Sequence, residues 1–158
     1  IGTHLILAGR EVTLVDDQSG NERMRFENPT AFTSHLAVVQ PSARPDFGPL
    51  AASLRTAAQD SALVAVVGHL DAVSVQVLAD AHPRGAAVPA FALMLDVASW
   101  RDDPTRDDRT LERDRAAKVL RSAGWRVAIV RRGQPVGDVW SGLLRARADV
   151  AHVLEGLR

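Results

Sequence analysis

Three short runs limit what this chain can fold into. Ala62–Val67 (ALVAVV), Ala90–Leu95 (AFALML) and Arg126–Val130 (RVAIV) are almost continuously apolar and bounded by polar residues. Runs of this kind suit strands covered on both faces, as in parallel sheets. A fourth segment, Glu11–Asp16 (EVTLVD), alternates and reads as a further strand. Gly20–Asn21 then falls between Leu14-Val15 and Met24-Arg25-Phe26, which predicts a hairpin to a short edge strand over Glu22–Phe26.

Helical patterns fill the intervals. Pro29 at a first-turn position predicts a helix over Pro29–Val39. Phe47, Leu50, Leu54 and Ala58 recur at helical spacing behind Asp46, an N-cap residue type. Asp71 is placed to cap Ala72–Ala81. The VSVQV within it also alternates, but its position between two apolar strands favours helix. Leu111, Val119, Leu120 and Ala123 give the next helix its face, Asp114 and Lys118 form an i,i+4 pair on it, and Gly124 stops it. Val136, Trp140, Leu143 and Leu144 open a C-terminal stripe that Val150, Val153, Leu154 and Leu157 continue, as one helix or as two broken near Arg145–Arg147. Pro41–Arg44 and the charged Arg101–Asp108 read as loops. The alternation of strand and helix implies an α/β fold, a three-layer, Rossmann-like and mostly parallel sheet with helices on both faces. The 158 residues fit one domain, with no dividing linker.

Charge excludes some functions. Lys and Arg together number 19, as do Asp and Glu, so the basic excess that nucleic acid or an anionic membrane surface demands is missing. Cysteine is absent, which removes disulfides, thiolate metal sites and a cysteine nucleophile, and is compatible with a cytoplasmic location. No apolar run reaches the roughly 18 residues of a membrane span. Gly-x-Gly-x-x-Gly, the phosphate-binding Gly-x-x-x-x-Gly-Lys-Ser/Thr loop and the Gly-x-Ser-x-Gly elbow are all missing, and no cofactor is expected.

Open α/β sheets bind ligands beyond the carboxyl ends of their strands. Here those ends carry Asp16 and Asp17, His69 and Asp71, Asp96, and Arg131 and Arg132. Carboxylates gathered on one rim hold hard divalent cations through oxygen. The competing reading, that Asp71 caps a helix and Asp96 merely ends a strand, is favoured, and no metal is expected. His69 is the best placed of five histidines for acid–base work, yet no nucleophile accompanies it. His4, His35, His82 and His152 show no metal-ligand spacing. Trp125 and Trp140 read as core. Trp100, beside the charged loop, is an interface candidate, as is the terminal stripe of Val150, Leu154 and Leu157.

The runs LVAVVGHLDAVSVQVLADA, FALMLDVASW and AAKVLRSAGWRVAIVRRGQPVGDVWSGLL, taken in order, resemble a bacterial family. It is the von Willebrand factor A-like group catalogued as domain of unknown function fifty-eight, of actinobacterial type. Ala123–Val130 and Asp96 to Trp100 are the most recognisable parts. The resemblance implies a parent protein with upstream membrane helices, in company with a MoxR-type AAA+ ATPase or a transglutaminase-like protein. The implied role is non-catalytic scaffolding. The alternative is a sensor or hydrolase-like domain whose Asp16, His69, Asp71 and Asp96 bind a metal or small molecule. In the implied fold the strand before the first helix is central and ends, where a metal site exists, in Asp-x-Ser-x-Ser. Asp71 falls near a metal-adhesion Asp, but Asp-x-Ser-x-Ser does not occur in this chain.

The opening IGTHLILAG reads as the end of an apolar helix stopped by Gly9. The expectation is therefore that the central strand lies outside the given sequence, leaving two strands with facing open edges. Glu11–Asp16 would then close on Ala62–Val67, or the edges would pair across a dimer. The plainer alternative is an ordinary first helix on a smaller, self-contained sheet.

Overall fold

The computed structural model describes residues 1–15, 23–40, 48–83, 85–100 and 106–155, the last ten of these by their backbone alone. Element order is α1 (Gly2–Leu7), β1 (Val12–Val15), β2 (Arg23–Phe26), α2 (Pro29–Val38), α3 (Gly48–Ala57), β3 (Leu63–Val67), α4 (Ala72–Asp80), β4 (Ala90–Leu95), a 3₁₀ turn (Val97–Ser99), α5 (Arg106–Ser122), β5 (Trp125–Val130) and α6 (Val136–Glu155).

The three apolar runs form one parallel sheet in the order β3-β4-β5, so β4 is central. Leu63 lies beside Ala90, and Ala90 in turn beside Trp125. Helices flank this sheet, giving the Rossmann-like α/β architecture that the alternation implies. Successive side chains of a strand point to opposite faces, and β4 divides accordingly. Ala90, Ala92 and Met94 pack with Val75, Leu78 and Ala79 of α4 and with Ala116, Ala117 and Leu120 of α5. Phe91 and Leu93 point the other way, to Trp140 of α6, to Ile1 and to Leu5 of α1. The Phe91 and Trp140 rings meet edge to face at 5.2 Å. The expectation that Trp125 and Trp140 are core holds, at 3% and 5% exposure.

β3 departs from the expected pattern. Leu63, Ala65 and Val67 join the α4/α5 face of the core. Val64 and Val66, on the other face, are 38% and 60% exposed. Neither α1 nor α6 reaches over them, so this run is not covered on both sides.

β1 and β2 make the expected hairpin as a separate two-stranded antiparallel sheet, with Val12 opposite Phe26 and Val15 opposite Arg23. Closure of β1 onto β3 is not made among the described residues. The hairpin is instead held through helices: Phe26 meets Phe32 of α2 edge to face at 5.4 Å. Gly2 of α1 lies so close to Phe32 that a Cβ there would strike the ring.

The helix ends follow their sequence signals. Asn28 caps α2 by accepting from the Thr30 and Ala31 N–H groups at 2.8 and 3.3 Å. Gly124 takes φ +92°, the left-handed conformation that ends α5. Of the two alternatives for the C-terminal stripe, α6 is the single continuous helix. Two expectations are corrected. α5 begins at Arg106, inside the stretch read as loop. Asp114 does not pair with Lys118, because the neighbouring Arg113 engages its Oδ1 at 2.7 and 2.9 Å.

Leu120 is fully buried between α5 and the sheet, whereas Leu111 on the same helix is 54% exposed. Leu120→Ala is expected to cost about 3 kcal/mol in denaturant unfolding, and Leu111→Ala less than about 0.5 kcal/mol.

Candidate functional site

The carboxyl ends of the three parallel strands run into Gly68-His69, Asp96 and Arg131-Arg132. Asp96 is the centre of this rim. Its backbone N–H donates to the Val130 carbonyl at 2.8 Å, which prolongs the β4–β5 ladder. The Ser99 hydroxyl, one 3₁₀ turn on, donates to the Asp96 carbonyl at 2.7 Å. Ser99 Oγ in turn accepts from the Arg132 N–H at 2.9 Å, tying the ends of β4 and β5 together.

The Asp96 carboxylate faces α5. Arg113 Nη1 lies 2.8 Å from its Oδ1, with both side chains only about a tenth exposed. Arg131 Nε stands farther off, 3.9 Å from Oδ2. Arg113 also holds Asp114 through Nη2 at 2.7 Å. Burial works against the Arg113 charge, but the Asp114 and Asp96 carboxylates outweigh it and raise its pKa. A guanidinium clamped in this way fixes α5 to the end of β4 and neutralises the one buried carboxylate among the described residues of the rim. Sequence reading missed Arg113. The signal was available: Arg113, Ala116, Ala117 and Leu120 share the i, i+3, i+4, i+7 spacing of the buried stripe.

Of the other expected rim residues, His69 lines the same cavity as Asp96 and Asp71 does not. Asp71 is exposed and caps α4, its Oδ1 accepting from the Ser74 N–H at 2.7 Å. That hydrogen bond, with a smaller contribution from His69, holds the carboxyl below its ordinary pKa. His69 lies 3.8 Å from Glu112 of α5, with both side chains half exposed. Asp16 and Leu157 lie outside the described residues, and the side chains of Val150 and Leu154 are not described. Trp100, just past the 3₁₀ turn, is 52% exposed.

The cavity at this rim, lined by His69, Asp96, Arg109 and Arg113 among others, has a volume of about 20 Å³. That is room for about one water molecule. Among the described residues no group of three or more His, Asp or Glu side chains is placed to hold a metal ion. No described helix is long and apolar enough to cross a membrane. No protein-family model, curated protein or solved structure matches this chain.

Two outcomes test this account of the rim. Arg113→Met is expected to cost about 3 kcal/mol by leaving Asp96 buried without its cation. In the double variant with Asp96→Asn the two losses add to less than their sum, which a denaturant double-mutant cycle reads. Asp71 has a lowered pKa in the folded state, so its capping contribution is present above the ordinary carboxylate pKa. It is lost as pH falls through the lowered value. The Tm gap between the wild-type protein and Asp71→Ala should therefore be widest near neutrality and shrink in acid.

Proposed function

We propose that this chain is a non-catalytic interaction domain of a larger bacterial assembly, and that it receives its partner along β3. One observation carries the reading. Among the described residues, no strand pairs with the outer edge of β3, and its Val64 and Val66 remain exposed on the face that α1 and α6 cover elsewhere. An edge strand without charge, proline or bulge is a template for strand addition. Leu63–Val67 has none of these protective features within the strand. An extended segment from a partner satisfies its backbone groups and covers both valines at once.

The partner class comes from the resemblance to the von Willebrand factor A-like family: a MoxR-type AAA+ ATPase, with a transglutaminase-like protein as the second candidate. Support for a non-catalytic role lies in the rim, where Asp96 is paired with Arg113 and Asp71 caps α4.

Val66→Lys places a charge on the open edge at a position already 60% exposed, so stability should change little. Binding of the source organism's MoxR-type ATPase, measured by calorimetry, is expected to weaken at least about tenfold, equivalent to about 1.4 kcal/mol. Val73→Lys, at an exposed position on α4, is expected to leave it unchanged. Equal binding by wild type and Val66→Lys overturns the role of β3. No binding by the wild type overturns the ATPase as partner.

A further inference from the structure

A larger cavity than the one at the strand carboxyl ends lies elsewhere. It is a cleft of about 580 Å³ at the opposite end, between the C-terminal halves of α4 and α5. We infer that this cleft binds a small amphoteric molecule, one carrying both an ammonium and a carboxylate, of amino-acid to dipeptide size.

Its two walls carry opposite chemistry. α4 presents Gln76 and Asp80, one turn apart, with the Gln76 amide donating to Asp80 Oδ1 at 3.0 Å. That single bond leaves the carboxylate with accepting capacity for a ligand ammonium. α5 presents Lys118 and Ser122, also one turn apart. Lys118 is the only lysine in the chain, and among the described residues nothing pairs with its ammonium. A cation and a hydroxyl at i,i+4 suit a carboxylate. Between the walls the lining is small and apolar, from Ala79, Val119 and Ala123.

A second observation points the same way. His82, 6% exposed, lines the cleft. Its Nε2 lies 3.0 Å from the Val88 carbonyl. A carbonyl only accepts, so Nε2 carries the hydrogen and Nδ1 of the neutral ring is an acceptor. Nδ1 is buried with no partner among the described residues. A buried acceptor left unpaired is costly, and a ligand N–H supplies the missing donor. Gly124 is the neighbour on that side, and a Cβ there would sit 3.8 Å from Nδ1. The volume matches the few-hundred-Å³ scale of small-molecule sites.

The test is a two-dimensional NMR titration with three probes: glycylglycine, its N-acetyl form, which lacks the ammonium, and its amide, which lacks the carboxylate. Glycylglycine is expected to shift the amide signals of Ala79, Val119 and Ala123 and the Trp125 indole signal, since Trp125 meets His82 edge to face at 6.0 Å. Each blocked form should bind at least about tenfold more weakly. Lys118→Met should weaken glycylglycine by a similar factor and leave the amide probe unaffected. Asp80→Asn should do the converse, spending its loss on probes that carry the ammonium. Both residues are exposed, so folding is not at stake, and the unchanged remainder of the spectrum verifies it. Absence of shifts at millimolar glycylglycine overturns the site. Equal binding of all three probes, or indifference to both substitutions, overturns the amphoteric ligand.

Discussion

The structure depends on one strand being dry on both sides. β4 has a hydrogen-bonded neighbour along each edge and a helical layer over each face. No other strand of the sheet has all four. A strand in that position can carry no polar side chain without a buried partner, and β4 carries none from Ala90 to Leu95. The first polar residue after it, Asp96, is still only 7% exposed, and it is met there by Arg113. The clamp at the rim is therefore a consequence of the burial of β4: the strand delivers a carboxylate to the edge of the apolar layer, and α5 must bring a cation to receive it.

The two ends of the sheet consequently differ. At the carboxyl end, hydrogen bonds run among Asp96, Ser99, Arg132 and Val130, and charge is balanced within the fold. Among the described residues, the buried carboxylate there has its cation already. At the amino end, α4 and α5 separate around small side chains, and polar groups there keep unused donors and acceptors. The usual rule that an open sheet binds at its carboxyl edge locates the part of this molecule that is internally satisfied. The unused hydrogen-bonding capacity lies elsewhere, along β3 and in the α4–α5 cleft.

The strands and helices were legible because their signals are local: apolar runs, Pro29 at a first turn, Asp71 as a cap, Gly124 as a stop. What escaped the sequence depends on neighbours. ALVAVV is as apolar as AFALML, yet Val64 and Val66 are exposed while Phe91 and Leu93 are buried. The difference lies in where α1 and α6 land, which no property of β3 itself encodes. The Asp114–Lys118 spacing was a sound helical pair, but Arg113, adjacent and bidentate, competes for the same oxygen. Of the rim residues, Asp71 and Asp96 take the capping and strand-end places that local chemistry favoured. The partner of Asp96 was hidden because an arginine within an apolar stripe is easily read as a surface residue.

The layer between β4 and its crossover helices is built largely from alanine: Ala79, Ala90, Ala92, Ala116, Ala117 and Ala123 are all buried there. Alanine has no rotamers to freeze, so this layer is assembled at little cost in side-chain entropy. It also draws two helices close against the sheet backbone, which leaves almost no slack. Sequence drift in this region is thus constrained in both directions. A methyl group can be neither removed without loosening a helix or strand nor enlarged without forcing a helix outward, so variation is channelled to the surfaces and open edges.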